Sequence, residues 1–104
     1  MSYRICFHPL VADDLEWIAG WIADYAGESA AAAKLAEIEA VILGLSEIPH
    51  KGSLRDEIAP GLRAIPAGRK GVVVFKVDDG TREVLVYAVT YGRADWIKRR
   101  RSRG

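Results

Sequence analysis

The chain is poor in the residues that staple small proteins or build reactive centres. Cys6 is the one cysteine in 104 residues, which excludes an internal disulfide and a closed cysteine-based zinc site. In its apolar, strand-like run it reads as a small buried hydrophobe. Histidine occurs twice, as His8 and His50, too sparsely for a paired acid and base. No apolar run approaches the roughly 20 residues that span a bilayer. The first residues, Met1-Ser2-Tyr3-Arg4, lead into only a short apolar run and carry no secretory signal. The expected compartment is therefore the cytoplasm, with no membrane partner. A glycine-rich phosphate loop and a metal-ligand cluster are missing too, so neither cofactor nor metal is expected.

What remains suits one ordinary soluble domain. Half of the residues are apolar and 28% are charged, enough to build a core without staples. The net charge of +1 hides a strong segregation. Residues 1–60 carry 4 Lys/Arg against 10 Asp/Glu, and residues 61–104 carry 11 against 4. A basic second half suggests an anionic partner. Pairing of acidic helices with a basic sheet inside the fold is the other reading, and charge alone leaves both open.

Hydrophobic periodicity gives the elements. Tyr3, Ile5 and Phe7 alternate as in a half-buried strand. Pro9 suits the first turn of a helix, where its missing N–H costs nothing, and Asp13, Asp14 and Glu16 lie near the positive end. Val11, Leu15, Ile18, Ile22 and Tyr25 form one helical stripe that Gly27 ends. Ser29 is the expected N-cap of a second helix, whose stripe is Ala31, Leu35, Ile38, Ile42 and Leu45, closed by Pro49. Two such helices joined by a short turn read as an antiparallel hairpin. Residues 49–61 form a Pro- and Gly-punctuated connection, and residues 62–65 a short strand before Pro66. Val72-Val73-Val74-Phe75 leaves neither face polar and predicts a central strand covered on both sides. Asp78-Asp79-Gly80 is hairpin-turn chemistry, and residues 83–91 return as an alternating strand. The order β-α-α-β-β-β defines an α+β fold, an N-terminal helical hairpin packed on a small antiparallel sheet. Residues 1–97 are expected to form the single domain, with 98–104 as a basic tail.

Local motifs in this order resemble the RelE/ParE superfamily of toxins, and its ParE branch most. The strand at Tyr3–Phe7 runs into a proline and then Asp13-Asp14-Leu15. Pro49-His50-Lys51-Gly52, Asp56 and Pro60-Gly61-Leu62-Arg63 are similar to the family's passage between helix and sheet. Gly68-Arg69 with Val72–Val77, and Val89-Thr90-Tyr91-Gly92-Arg93-Ala94-Asp95, resemble its last two strands. The chain departs from the pattern at Lys70-Gly71, where an aromatic residue is usual, and at Tyr91, where a histidine is usual. The resemblance implies a toxin neutralised by a small ParD-like antitoxin. It also implies either DNA gyrase as the target or, as in the RelE branch, messenger RNA cut on the ribosome.

RNA cleavage by 2′-OH attack needs a proton acceptor, a proton donor and cations for the phosphate. Arg63, Arg69, Lys70, Tyr91 and Arg93 flank the C-terminal strands and are the candidates for toxicity and target binding. Arg93 is the first to test; for Arg63 a salt bridge to Asp56 or Glu57 weighs equally. His8 reads as a cap or packing residue and His50 as a solvated loop residue. Asp13-Asp14 and Asp56-Glu57 are neighbours that would not face each other on a helix. The lack of a dense Lys/Glu/His constellation favours a target-binding toxin over a nuclease. A noncatalytic nucleic-acid- or antitoxin-binding domain on the same fold is the third reading.

Trp17 and Trp21 stand four apart on one helix face. They either widen the core contact or stay exposed to receive an antitoxin helix. Leu43 lies off the second stripe and is expected in the same patch.

Overall fold

The computed structural model describes residues 2–92. Four-residue strand β1 (Arg4–Phe7) leads into helix α1 (Val11–Ala26) and, through Gly27, into helix α2 (Glu28–Gly44). A two-residue strand β2 (Ser53–Leu54) precedes the long strands β3 (Leu62–Ala67), β4 (Gly71–Asp78) and β5 (Glu83–Tyr91). The single sheet runs β1-β5-β4-β3-β2, so the fold is α+β, two helices on five strands. The sheet is mixed: β1 lies parallel to β5 and the other neighbours are antiparallel. The helical pair between β1 and the rest carries the chain over one face, which permits the parallel pairing.

Each local signal has a physical outcome. Gly27 adopts φ 95°, a conformation glycine enters without a Cβ penalty, and it alone separates the two helices. It also takes the N-cap position expected of Ser29, and no side chain caps α2. The second helix stops at Gly44 and turns before Pro49. Strand β3 continues through Pro66 to Ala67 because β2 pairs only Arg63 and Ala64, leaving Pro66 on an edge. The β4–β5 turn is held by Asp78, whose Oδ1 accepts the N–H groups of Gly80 and Thr81 at 2.9 and 3.2 Å. The positive φ there belongs to Arg82 rather than Gly80.

Strand β4 is central and covered twice. Strand alternation puts Val73 and Phe75 under the helices, in a core with Ile18, Ile22, Ile38, Ile42 and Leu45, and a register shift opposite Val74 and Phe75 lets Val86 and Val89 of β5 both join them. Val74 faces the other way, into a smaller cluster with Ala59, Leu62 and Ala88. Residues 55–60 fold back over that second face, with Ala59 buried and Ile58 packed against the cluster. At about 25 cal/mol per Å2 of apolar surface, burying each large side chain here contributes on the order of 1.5–3 kcal/mol.

One inward acid fixes the helical layer on the sheet. Strand β1 pairs only residues 83–86 of β5. Three residues beyond that overlap, the Val89 N–H donates to Asp14 Oδ2 at 3.0 Å. Asp14 is 1% exposed. A carboxyl group thus occupies a β5 backbone donor that β1 does not reach, a protected edge that discourages a foreign strand.

Candidate functional site

The β3–β4 turn, the end of β5 and the first half of α2 meet in an open cleft of about 590 Å3. Lys34 and Glu37 line it from α2, Gly68, Arg69 and Lys70 from the turn, and Tyr91 from β5. Pairing of Gly71 with Tyr91 sets the turn beside the strand end, and the Gly92 N–H donates to the Lys70 carbonyl at 2.9 Å. Gly68 has φ 76°. A Cβ there would collide with the Glu37 carboxylate and the Lys34 ammonium. The positive φ favours glycine at this turn, and a larger residue would also push the flexible ends of Glu37 and Lys34 aside.

The cleft is cationic with an aromatic wall. Lys34 Nζ lies 2.6 Å from Glu37 Oε1 and 5.5 Å from the centroid of the Tyr91 ring, within cation–π range. The Tyr25 and Tyr91 hydroxyls are 3.3 Å apart. That bond lifts the Tyr25 phenol above its ordinary value, while Lys70 and Lys34 pull it down. Arg69 and Lys70 are exposed at the rim. With Glu37 the one carboxylate among the described lining residues, and that one paired with Lys34, the arrangement can hold an anion. Catalytic proton transfer would need a group besides Glu37 to accept the proton.

The aromatic wall continues along α1. Tyr91 meets Trp21 at 5.6 Å between centroids, Trp21 meets Tyr25 at 4.7 Å, and Trp17 and Trp21 lie parallel within 5°. Trp17 is 52% and Trp21 44% exposed, so they face solvent rather than widen the core. Leu43 does not join them. It borders a separate apolar groove with Phe7, Leu15, Glu39 and Ile42. Leu15 and Trp17 are two residues apart, roughly 200° around a helix, and hence on opposite shoulders of α1.

The candidates from sequence separate accordingly. Arg69, Lys70 and Tyr91 share the cleft, whereas Arg63 does not enter its lining. It sits at the far end of β3, where its Nη1 donates to the carbonyls of His50 and Lys51 at 3.2 and 3.5 Å, bracing the 49–52 turn. Arg93 and the tail at 98–104 lie outside the described residues. His8 braces the turn before α1 rather than capping the helix, its Nδ1 accepting the Leu10 N–H at 3.1 Å, and stands edge-on to Tyr87. His50 is engaged rather than merely solvated: its Nε2 is 2.9 Å from Asp79 Oδ1, which also accepts the Tyr3 hydroxyl at 2.6 Å. Lys34 and Glu37 are the cleft residues that sequence reasoning missed, and Tyr25 backs the cleft through its bond to Tyr91. Lys34 carries one faint signal, as the single base between Val11 and Gly44. No group of three or more His, Cys, Asp or Glu able to hold a metal occurs among the described residues.

Two helices on one face of this five-stranded sheet, with a cationic cleft beyond its last strand, define a small α+β domain. The model of the ParE toxin of the type II toxin–antitoxin system parDE matches residues 5–96, and the chain belongs to that family. Solved relatives share the fold at low identity. The chromosomal ParDE system of Pseudomonas aeruginosa superposes with a TM-score of 0.75 at 18% identity, over 88% of this chain and 98% of that one. The RelBE2 toxin–antitoxin complex of Mycobacterium tuberculosis gives 0.62 at 19% identity, over 88% and 99%. A mutant of the E. coli toxin RelE in the free state gives 0.65 at 16% identity, over 95% and 93%. No curated protein matches the sequence.

Proposed function

We propose that this toxin acts in the cytoplasm by binding and inhibiting DNA gyrase, and that a ParD-like antitoxin neutralises it. The observation that carries this reading is the ParE family match along residues 5–96. The site agrees with it. The cationic rim of Arg69 and Lys70 offers charge for a macromolecular target. The exposed Trp17 and Trp21 offer an aromatic anchor on another element. Toxicity and neutralisation then use different surfaces. The test is a supercoiling assay with purified gyrase, toxin and the antitoxin encoded beside it. The toxin is expected to stop supercoiling and the antitoxin to restore it; full gyrase activity at saturating toxin would refute the target.

A RelE-like ribonuclease acting on ribosome-bound messenger RNA is the second reading, favoured by one arrangement. Lys34, Arg69, Lys70 and the Tyr91 phenol surround one cleft, a set that could hold a phosphate against an aromatic ring. It ranks second because Glu37, the carboxylate there, is bound to Lys34.

A further inference from the structure

Helix α1 has an outer face that is exposed to solvent. Its charged residues are Asp13, Asp14, Glu16 and Asp24, with no base. Asp14 turns inward, and the other three are exposed. Residues three and four apart are neighbours on a helix. Asp13, Glu16 and Asp24 therefore share one patch with the exposed indoles of Trp17 and Trp21.

Gly20 lies in the middle of that patch, one turn from both Glu16 and Asp24 and three residues after Trp17. A mid-helix glycine costs about 1 kcal/mol relative to alanine. Packing does not account for it, because a Cβ at Gly20 would meet nothing within 4 Å. What the glycine does is leave a bare, exposed stretch of helix beside two indoles and three carboxylates. A guanidinium suits such a surface: it stacks on an indole face and forks onto a carboxylate. The surrounding charge selects in the same direction. Seven carboxylates lie between Val11 and Gly44, and the one base among them, Lys34, is paired with Glu37. An acidic segment would meet like charge along α1, with the bases of the cleft lying only beyond Tyr91 at the far end of the patch.

We propose that the exposed face around Gly20 is the seat of an arginine-bearing segment of the antitoxin. Its arginine stacks against Trp17 and Trp21 and pairs with the carboxylates around them. This rests on the antitoxin reading above and adds the chemistry by which the partner is chosen.

The test uses the full-length toxin and the antitoxin encoded beside it, with affinity measured by calorimetry at two salt concentrations. Gly20→Gln should raise the melting temperature of the free toxin by filling the helix, yet weaken antitoxin binding by about 30-fold, the loss typical of an interface hot spot. The double variant Asp13→Lys/Asp24→Lys should weaken binding at least as much. It should also reverse the salt dependence, because attraction becomes repulsion. Replacing the responsible antitoxin arginine by glutamate should restore binding to the double variant. Unchanged affinity in both toxin variants overturns the proposal while leaving an antitoxin partner in place. Loss of toxin self-association instead, with antitoxin binding intact, overturns it too and gives the patch to a second copy of the chain. If the unaltered toxin fails to bind the antitoxin at all, the antitoxin reading falls and this proposal falls with it.

Discussion

Asp14→Ala should be among the most damaging single changes outside the apolar core. Asp14 is 1% exposed and its Oδ2 accepts the Val89 N–H at 3.0 Å. Alanine would leave that amide buried without its acceptor, a loss of about 1–3 kcal/mol. For a domain near 100 residues, each kcal/mol lowers Tm by roughly 4–8 °C, so the expected fall is about 4–24 °C. Asp14→Asn keeps an acceptor oxygen and should recover part of the loss. Thermal denaturation gives the magnitude, and hydrogen exchange at the Val89 amide gives the location. In Asp14→Ala that amide should exchange faster than its neighbours on the β4 side. An unchanged Tm, or an unchanged Val89 exchange rate, would refute the view that this acid fastens α1 to β5. The consequence reaches function, since α1 carries Trp17 and Trp21 and its register on β5 brings Trp21 to Tyr91.

Three further outcomes follow from the same geometry. Arg69→Ala and Lys70→Ala alter exposed side chains and should leave stability within about 0.5 kcal/mol, while lowering toxicity in a growth assay; full toxicity in the double variant would remove the cleft from the account. Arg63→Ala should do the reverse, costing about 1 kcal/mol through the lost carbonyl bonds and reducing toxicity only in proportion to folded protein. Hydrogen bonds from Tyr3 and then His50 hold the Asp79 carboxyl below its ordinary value. Its stabilisation is present above the unfolded pKa of about 3.9 and disappears as pH falls through the depressed folded value. Urea midpoints across the acid range should therefore fall less steeply in Asp79→Asn; identical slopes would contradict the pairing.

Most of the fold could be read because its signals are local. The run Val72–Phe75 announced a strand buried on both faces, and the helices fall on the periodic stripes, with Val11, Ile18, Ile22, Ile38 and Ile42 all buried. What escaped depends on contacts distant in sequence. Asp14 and Val89 are 75 residues apart, so an acid near a helix start looked like an electrostatic helper rather than a tie to the sheet. The parallel pairing of β1 with β5 escaped for the same reason. The site divides likewise. Arg69, Lys70 and Tyr91 were visible because they flank strands that a hairpin brings together. Lys34, on a helix, could be placed beside them only by the packing of α2 over the β3–β4 turn. Arg63 looked equivalent to Arg69 in sequence, yet it stands at the opposite end of β3. Leu43 looked equivalent to the tryptophans, yet it belongs to the other shoulder of the helical pair.

The most direct test of the central claim is induction of the toxin alone in growing cells, with DNA synthesis and protein synthesis followed by separate pulse labels. A gyrase-directed toxin should stop DNA synthesis first and induce the SOS response while messages stay intact, and Arg93→Ala should abolish the effect without loss of antitoxin binding. Early loss of translation with cut messages, and DNA synthesis declining only afterwards, would contradict the account and assign the cleft of Lys34, Arg69, Lys70 and Tyr91 to RNA.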